Sequence, residues 1–375
     1  MSKRIIVSVI SNLATDQRVH KVCTTLHEYG YNVLLIGSKH SNTANLPARD
    51  YKVVRLHLWC TRGFMKYAEW NIKLCLYLLY HKADILLAND LDTLLPNYIV
   101  QCIKKNNLVY DTHEYFTEQE EVYNRKWVKR IWLGIEKRIF PHLKNVYTVN
   151  ETIAKVYTKL YAVPVHVVRN VPILVTQVKA DKQLQEQYHI PIHNKILLTQ
   201  GIGLHYNRGI EELIQCMQHL PNEYTLVIVG SGLAVPQLKQ LVLQLNLQDK
   251  VIFVGILPPQ VLKQITPLAY CGFSLDKPTC LNYAYSLPNK LFDYIHAGIP
   301  VIASNVVEVA NIIHTYKVGI VLQELTPHTI ASAVLALKRN DDDYNQLKQH
   351  CKLAADVLNW QCEAVTLLQL FQQVK

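Results

Sequence analysis

The stretch from Tyr285 to Ala303 reads YSLPNKLFDYIHAGIPVIA. Serine is a favourable N-cap residue and proline is tolerated in the first helical turn, so this stretch predicts a helix that opens at Ser286. Glycine is common just after a helix C-terminus, and Gly298 therefore marks the end of the helix. The apolar, β-branched run that follows predicts a buried strand over 299–303. A helix that leads directly into a buried strand is typical of an α/β fold.

The same helix carries two polar residues, Lys290 and Asp293, whose i,i+3 spacing places them on one face. A helix N-terminus offers unpaired N–H groups and a positive dipole end, and both suit a diphosphate. Lys290 adds a positive charge, and Asp293 has two oxygens for the hydroxyls of a ribose. The spacing also fits a capped surface helix with an ion pair between the two residues. On these residues alone, both interpretations stay open.

Apolar β-branched runs alternate with helical patterns along the whole chain, which predicts parallel sheets covered by helices. In the first half we predict strands at 4–10, 31–37, 84–88, 108–111, 146–149 and 165–169. In the second half we predict strands at 195–200, 225–230, 251–255, 272–275, 299–303 and 319–322. We therefore expect an α/β protein with two Rossmann-like domains, 1–175 and 176–345, that face each other across a cleft. A C-terminal helix, 346–375, is expected to pack back on the first domain.

Composition limits the class of protein. Half of the 375 residues are apolar and 18% are charged, which is typical of a folded chain with a large interior. The longest apolar candidate, 72–80, is far shorter than the roughly 20 residues of a membrane span. No signal peptide is expected, because the apolar run after the first residues is short and no cleavage site follows. The nine cysteines form no Cys-x-x-Cys pair, which favours reduced thiols in a cytoplasm.

The net charge of +10 is unevenly distributed. Residues 1–170 hold 24 Lys and Arg against 14 Asp and Glu, whereas residues 171–375 hold 15 of each. A basic first half suits an anionic membrane surface or a phosphorylated acceptor, and a solvated surface without a partner is the other interpretation. No nucleic acid is expected as a partner, because charge alone would support it and no binding module is recognisable.

A second segment, 200–209, reads QGIGLHYNRG and lies between a predicted strand and a helical pattern. Gly201 and Gly203 allow the backbone to approach a ligand closely. Arg208 has the planar fork that binds phosphate with two hydrogen bonds. A Gly-x-Gly pattern alone is also typical of a tight turn without a ligand.

Together these segments resemble the bacterial family 4-type (group 1) retaining glycosyltransferases of the GT-B fold, over roughly residues 4–370. The stretch 285–303 is similar to the donor-binding signature of that family. The resemblance implies that the helix N-terminus, with Pro288, Asn289 and Lys290, meets the donor diphosphate and that Asp293 binds the donor ribose. It also implies that Gly255, in the segment GILPP, lies near the nucleotide base.

Three segments of the first half, 11–20, 88–96 and 110–114, are similar to the first domain of the same relatives. The resemblance implies that His113 lies near the reacting sugar and phosphate, so that the catalytic candidates are His113, Arg208 and Lys290. The acceptor-side candidates are Asn12, Asp16, Asp90, Asp92 and Glu114. For Asp16, Asp90 and Asp92, capping of a loop is the other interpretation.

The chain departs from the family pattern at two positions of the donor half. Tyr285 stands where many members carry the first of two acids, which holds the donor sugar. Ile202 stands where many members carry an arginine. The sequence therefore leaves the identity of the donor sugar open.

The resemblance implies transfer of a sugar from a nucleoside-diphosphate donor to a glycan or lipid-linked acceptor, with retention. Arg208 and Lys290 would stabilise the charge on the leaving diphosphate. No metal and no cofactor is expected to be obligatory, and the nucleotide sugar is a co-substrate. Two alternatives are a sugar-nucleotide epimerase of the same fold and a non-catalytic nucleotide-sugar binding protein. A nicotinamide dehydrogenase is disfavoured, because SNLATD and not Gly-x-Gly-x-x-Gly follows the first strand.

Residues 123–140 read YNRKWVKRIWLGIEKRIF and form a basic amphipathic pattern. Four apolar residues share one helical stripe: Trp127, Ile131, Ile135 and Ile139. Six basic residues surround them: Arg125, Lys126, Lys129, Arg130, Lys137 and Arg138. Such helices suit an anionic membrane surface, which would give a peripheral location at the inner face of the membrane. A core-facing helix with solvated basic residues is the other interpretation.

Overall fold

The computed structural model describes residues 2–39, 46–175, 180–337 and 341–374, and it divides into two compact units. Unit 1 comprises Met1–Asn170 and Cys362–Lys375, and unit 2 comprises Val171–Gln361. The predicted limit at 175 lies a few residues after the observed division. The predicted limit at 345 lies inside unit 2, because the helix that contains it packs in that unit.

Both units are built on parallel sheets, and elements are numbered here along the chain. The strands of unit 1 are β1 (Arg4–Ser8), β2 (Asn32–Lys39), β3 (Lys52–His57), β4 (Ile85–Asn89), β5 (Asn107–Thr112), β6 (Asn145–Thr148) and β7 (Val165–Val167). The strands of unit 2 are β8 (Lys195–Gly201), β9 (Tyr224–Gly230), β10 (Val251–Gly255), β11 (Cys271–Ser274), β12 (Val301–Ser304) and β13 (Gly319–Leu322).

Each predicted strand has a counterpart in the structure, with ends that differ by a residue or two. The strand that the sequence did not predict is β3. It lies at the edge of its sheet, and its side chains are only half-buried or exposed. An edge strand of this kind lacks the continuous apolar run that marks a central parallel strand.

Helices connect the strands and cover the sheets. They are α1 (Gln17–Glu28), α2 (Gly63–Tyr80), α3 (Leu91–Lys104), α4 (Glu120–Tyr123), α5 (Lys126–Ile139), α6 (Glu151–Tyr161), α7 (Gln183–Gln187), α8 (Ile210–Cys216), α9 (Val235–Gln244), α10 (Pro259–Ile265), α11 (Leu281–Ala284), α12 (Asn289–His296), α13 (Val307–Tyr316), α14 (Pro327–Ala336), α15 (Asp341–Ala355) and α16 (Trp360–Gln373). Among the described helices, none has the length and apolar character of a membrane span.

The strand order reverses once in each sheet. Sheet 1 has the order β3-β2-β1-β4-β5-β6-β7, and sheet 2 has the order β10-β9-β8-β11-β12-β13. In open α/β sheets, ligands bind beyond the carboxyl ends of the strands where the order reverses. The positions for a ligand are therefore the loops after β1 and β4 in unit 1 and those after β8 and β11 in unit 2.

The C-terminal segment forms two helices and not the single predicted one. After α15, Asn359 Nδ2 donates to the carbonyls of Ala355 at 3.0 Å and Asp356 at 2.8 Å, so that its side chain occupies the end of α15. α16 then lies mostly in unit 1, where Lys3 Nζ donates to the carbonyl of Val374 at 2.9 Å. The packing of a last helix on the first domain therefore applies to α16, whereas α15 stays in unit 2.

Candidate functional site

Gly201 is the last residue of β8, and the loop after it carries Gly203 and Arg208 at the carboxyl end of sheet 2. It ends at Gly209, which has a φ of 66° and precedes α8. A Cβ atom at Gly209 would lie 2.4 Å from the carbonyl oxygen of Leu275. Only glycine permits this backbone conformation at this distance, and the close approach sets Arg208 beside the loop that follows β11.

Arg208 and Lys290 converge on Asp276, a residue just after β11. Arg208 Nη1 lies 2.9 Å from Asp276 Oδ1, and Lys290 Nζ lies 3.5 Å from the same oxygen. The exposed fraction of the side chain is 2% for Asp276 and 13% for Lys290. The structure therefore brings Arg208 and Lys290 together around an acid that the sequence analysis did not nominate.

Neighbouring charges set the protonation of Asp276 and Lys290. Burial raises the pKa of Asp276, but Lys290 and Arg208 outweigh burial and lower that pKa below its ordinary value. Burial lowers the pKa of Lys290, and Asp276 opposes that shift. The signal that could have identified Asp276 is its place directly after the strand predicted at 272–275, since polar residues at such strand ends commonly line a site.

The predicted start of α12 is wrong. The helix begins at Asn289, with Pro288 as its N-cap residue and no side-chain hydrogen bond at the cap. Ser286 Oγ instead donates to the carbonyl of Tyr283 at 2.9 Å and so belongs to the turn after α11. Proline has a fixed φ and no N–H, which suits the entry to the first turn and shifts the start past Ser286.

The core face of α12 includes Leu291, Tyr294 and Ile295, which are buried. A Cβ atom at Gly272 of β11 would lie 2.3 Å from Tyr294 Cγ, so the helix packs directly against the strand. Gly298 follows the helix with a φ of 69°. This packing fixes the N-terminal turn of α12, with Asn289 and Lys290, near the end of β11.

Asp293 has a different partner from Lys290. Gln200 Nε2 donates to Asp293 Oδ2 at 3.0 Å, and Thr266 Oγ1 donates to Gln200 Oε1 at 3.1 Å. The Thr266 hydroxyl has one proton, which it shares between Gln200 Oε1 and the carbonyl of Leu262 at 2.8 Å. Because a carboxylate only accepts hydrogen bonds, Asp293 faces the NH2 group of Gln200, and the amide orients the carboxylate. The alternative of a capped surface helix with an i,i+3 ion pair does not fit, because Lys290 is nearly buried and pairs with Asp276.

Gly255 lies apart from this cluster. It ends β10, the edge strand of sheet 2, two positions from β8 in the strand order. Its φ is 81° and the space around it is open. The structure therefore does not bring Gly255 to the two cations.

In unit 1, a buried ion-pair network lies at the ends of β4 and β5. Arg18 of α1 donates from Nε to Asp111 Oδ2 at 2.9 Å and from Nη2 to Oδ1 at 2.7 Å. Its Nη1 donates to the carbonyl of Val168 at 2.8 Å. His113 Nε2 lies 3.0 Å from Asp111 Oδ2, and His113 Nδ1 lies 3.3 Å from Asp90 Oδ2. Both ring nitrogens of His113 therefore face carboxylates.

Asp90 adopts a strained backbone at the end of β4. Its φ is 59° although it is not glycine, a conformation that costs about 1–3 kcal/mol. Three hydrogen bonds hold it: the N–H of Asp90 donates to the carbonyl of Asp111 at 2.8 Å, the N–H of His113 donates to Asp90 Oδ1 at 2.8 Å, and the N–H of Thr93 donates to the carbonyl of Asp90 at 3.2 Å. Asp90 thus supports His113 as well as the loop.

These contacts make His113 a cation at neutral pH. Burial alone would lower its pKa, but Asp90 and Asp111 raise the pKa of His113 to about 9. Burial would raise the pKa of Asp111, yet Arg18 and His113 lower it to about 2. Burial raises the pKa of Asp90 to about 6 in spite of the nearby imidazolium. His113 therefore supplies positive charge and N–H groups, and it has no nitrogen lone pair for a base at pH 7.

Two acceptor-side candidates shape the loop after β1. Asp16 Oδ1 accepts a hydrogen bond from the N–H of Val19 at 3.0 Å, and so Asp16 is the N-cap of α1, which fits the capping interpretation. Asn12 Oδ1 accepts from the N–H of Ala14 at 3.1 Å, and the carbonyl of Asn12 accepts from the N–H of Thr15 at 3.0 Å.

The other two candidates differ in exposure. Asp92 lies in the first turn of α3 and is 6% exposed, and burial raises its pKa well above the ordinary value. Within the described residues, Asp92 Oδ1 has no hydrogen-bond partner. Glu114 is exposed and accepts a hydrogen bond from Gln119 Nε2 at 2.9 Å.

The basic helix α5 has an exposed apolar face. Its buried residues are Trp132, Glu136 and Ile139, whereas Trp127 is 76% and Ile131 is 47% exposed. A cavity of about 520 Å³ adjoins this face and is lined by Tyr123, Asn124, Lys126, Lys129, Arg130 and Leu133. α5 thus buries one face, as a core-facing helix does, but of the predicted stripe only Ile139 is buried, while Trp127 and Ile131 are exposed.

Comparison with known proteins finds a family match within unit 2. Residues 181–353 match the family model "Glycosyl transferases group 1". D-inositol 3-phosphate glycosyltransferase of Xylanimonas cellulosilytica is 23% identical over 199 residues, which are 51% of this chain and 45% of that protein. The chain thus matches less than half of that relative's length. The match to the group 1 glycosyl transferase model thus lies within unit 2.

Two solved structures share the fold over nearly the whole chain. Sucrose-phosphate synthase from Thermosynechococcus elongatus superimposes with a TM-score of 0.81 and 16% identity, covering 99% of both chains. HepE of Anabaena in complex with UDP-glucose superimposes with a TM-score of 0.76 and 13% identity, also covering 99% of both chains. These likenesses confirm the predicted architecture of two parallel-sheet α/β domains of the GT-B type.

Proposed function

Starting from a group 1 glycosyl transferase domain at residues 181–353, we propose that this protein transfers a sugar from a nucleoside-diphosphate donor. The acceptor is a glycan or a lipid-linked molecule, and the anomeric configuration is retained. The observation that carries the proposal is the convergence of Arg208 and Lys290 at the strand reversal of sheet 2, beside the N-terminus of α12. We assign donor binding to unit 2 and acceptor binding to unit 1.

Two fixed cations at a helix N-terminus suit a diphosphate. The helix dipole and its free N–H groups favour an anion at this end. Arg208 and Lys290 add two charges, and Asp293 presents a carboxylate oriented by Gln200 for the ribose hydroxyls. The relative of like fold that holds UDP-glucose favours a UDP-sugar as the first donor to test.

The proposed chemistry places positive charge where negative charge develops. As the glycosidic bond to the donor breaks, charge accumulates on the departing diphosphate, and Arg208 and Lys290 stabilise it. The departing phosphate accepts the proton of the acceptor hydroxyl, so no side-chain base is required. This fits His113, which is protonated at neutral pH and contributes through its charge and its N–H groups. Because the two cations provide the necessary charge, we expect no obligatory metal or cofactor.

A thermal-shift series tests the donor assignment. A ligand at a hundred times its Kd stabilises the native state by about 2.7 kcal/mol, so UDP and UDP-glucose are expected to raise Tm by several degrees. Other nucleoside diphosphates and their sugars establish the preferred base, and glucose without a nucleotide serves as the control. The proposal fails if no nucleoside diphosphate or nucleotide sugar changes Tm at millimolar concentration.

Product analysis then separates the enzyme classes. With a nucleotide sugar that binds and a membrane extract as acceptor source, a transferase releases nucleoside diphosphate and labels a glycan. An epimerase instead yields a free epimerised nucleotide sugar without any acceptor. Binding with neither product would identify a non-catalytic nucleotide-sugar binding protein.

We propose further that residues 123–140 bind an anionic membrane surface at the inner face of a membrane. The supporting observation is the outward position of Trp127 and Ile131 between exposed basic residues on α5. Amphipathic helices with this distribution bury their apolar face at the headgroup boundary while basic residues attract anionic lipid. This would bring the protein to a lipid-linked acceptor.

Liposome flotation directly measures the binding of the protein to an anionic membrane. Replacing Lys126, Arg130, Lys137 and Arg138 by Gln is expected to weaken binding to phosphatidylglycerol-containing vesicles by roughly two orders of magnitude or more, since each basic residue near such a surface contributes about 1 kcal/mol. The matched control replaces four exposed lysines of unit 2 by Gln: Lys182, Lys239, Lys263 and Lys352. Equal binding by the two quadruple variants, or no binding by the unaltered protein, would end this part of the proposal.

A further inference from the structure

We infer that Asp276 is a positioning residue of the donor site, which holds Arg208 and Lys290 as a fixed pair of cations. The inference rests on the proposed function, because it assigns to Asp276 a part in the binding of the same nucleoside diphosphate. Asp276 itself is assigned no contact with the reacting atoms.

The backbone around Asp276 is anchored on two sides. Ser304 Oγ, at the end of β12, donates to the carbonyl of Asp276 at 2.6 Å. The N–H of Lys277 donates to the carbonyl of Asn207 at 2.8 Å, which ties the loop after β11 to the loop after β8. The backbone that carries the carboxylate is therefore fixed, and the loop that carries Arg208 is held beside it.

Both cations are restrained by this carboxylate. Arg208 Nη1 and Lys290 Nζ share one oxygen, Asp276 Oδ1, at 2.9 and 3.5 Å. The Arg208 guanidinium also lies over the ring of Tyr283, with 4.7 Å between Cζ and the ring centroid. Long basic side chains lose much rotamer freedom when they bind a phosphate, and a site that orders them beforehand binds more tightly.

The second oxygen of Asp276 argues against a purely structural role. Asp276 Oδ2 is buried and, in the part of the chain that the structure describes, accepts no hydrogen bond. Buried polar atoms are nearly always hydrogen-bonded, and an exception calls for an explanation such as a role in a functional site. Asp276 instead pairs with two cations through Oδ1, and these cations are the residues that we assign to the donor diphosphate.

The carboxylate also decides the charge of Lys290. Burial lowers the pKa of Lys290 and Arg208 lowers it further, whereas Asp276 raises it. Without the negative charge of Asp276, Lys290 would lose its proton at a lower pH. Arg208 would stay charged, because a guanidinium does not titrate in this range.

The test is the pH dependence of UDP binding, measured by calorimetry from pH 6.5 to 9 on the full chain. For Asp276→Asn, the ratio of its Kd to that of the unaltered protein is expected to rise at least tenfold across this range. The ratio removes the titration of UDP itself. Adding Lys290→Arg to Asp276→Asn is expected to keep the ratio constant within about twofold, because arginine keeps its charge. A constant ratio for Asp276→Asn alone would overturn the inference.

A second variant covers the case in which Asp276→Asn does not fold, as judged by circular dichroism and thermal unfolding. Asp276→Glu keeps the charge but moves the carboxylate by one methylene group. We expect UDP binding about tenfold weaker at every pH, with an unchanged pH profile, and equal affinity would overturn the inference. If the unaltered protein binds neither UDP nor any other nucleoside diphosphate, the proposed function fails instead.

Discussion

Replacing Arg208 by Ala is expected to lower kcat/KM for sugar transfer by about two to three orders of magnitude. Removing one preorganised donor that meets a developing oxyanion has an effect of this size, and Arg208 is one of the two side-chain cations at the donor site. The effect should appear in kcat as well as in KM, because charge on the diphosphate grows as the bond to the sugar breaks. Lys290 remains in place to bind Asp276 and so limits the structural damage.

The measurement is release of UDP from UDP-glucose, with a membrane extract as acceptor source and with water as the control acceptor. Arg208→Lys is the matched variant, since it keeps the charge and loses the planar fork, and its activity should lie between the other two. Thermal unfolding without a ligand verifies that both variants fold. A kcat/KM within threefold of the unaltered protein for Arg208→Ala would show that this guanidinium does not serve the diphosphate.

Replacing Arg18 by Ala is expected to lower the free energy of unfolding of unit 1 by about 3–5 kcal/mol. The substitution leaves Asp111, with a fully buried side chain, without its bidentate partner, and a buried charge deprived of its partner has a cost of this order. Urea unfolding followed by tryptophan fluorescence is a suitable measurement. Trp59, Trp70, Trp127 and Trp132 lie in unit 1, and Trp360 lies in unit 2.

The pH dependence gives this prediction a second test. In the unaltered protein, the pKa of Asp111 is about 2, below its unfolded value, so its contribution to stability is present above pH 4 and is lost between about pH 4 and 2. In Arg18→Ala, burial without a bidentate partner raises the pKa of Asp111. The difference in stability should therefore be largest at neutral pH, should begin to shrink as pH falls through the raised pKa of Asp111 in Arg18→Ala, and should keep shrinking down to about pH 2.

Two controls complete the Arg18 experiment. Arg138→Ala removes an exposed basic residue of unit 1 and should change stability by less than about 0.5 kcal/mol. The double variant Arg18→Ala with Asp111→Ala should lose less than the sum of the two single variants, because no buried charge is left unpaired. A loss below 1 kcal/mol for Arg18→Ala would contradict the view that this ion pair stabilises unit 1.

Local patterns predicted the strands well, because buried parallel strands show as apolar runs in a single segment. They failed where a segment's environment comes from distant parts of the chain. β3 is an edge strand, and its half-buried side chains give no such run. Trp127 has the spacing of a core residue, yet it is exposed, and nothing in its own segment distinguishes the two outcomes.

The contacts within the candidate sites could not be predicted from local patterns either. Asp276 lies 68 residues from Arg208 and 14 from Lys290 in sequence, so its role emerges only once the strands are assembled. Arg18 and Asp111 are 93 residues apart. The sequence could nominate Arg208 and Lys290 through their motifs, because each stands in a segment with a recognisable pattern. The carboxylates that raise the pKa values of Lys290 and His113 could be identified only from the folded structure.

The route of the chain through the two units has a consequence for biosynthesis. Unit 1 is interrupted, since Val171–Gln361 forms all of unit 2 before Cys362–Lys375 completes unit 1. Phe371 of this last segment is fully buried, and Lys3 Nζ donates to the carbonyl of Val374. The core of unit 1 therefore becomes complete only when Cys362–Lys375 has been translated, although the rest of unit 1 is translated before unit 2.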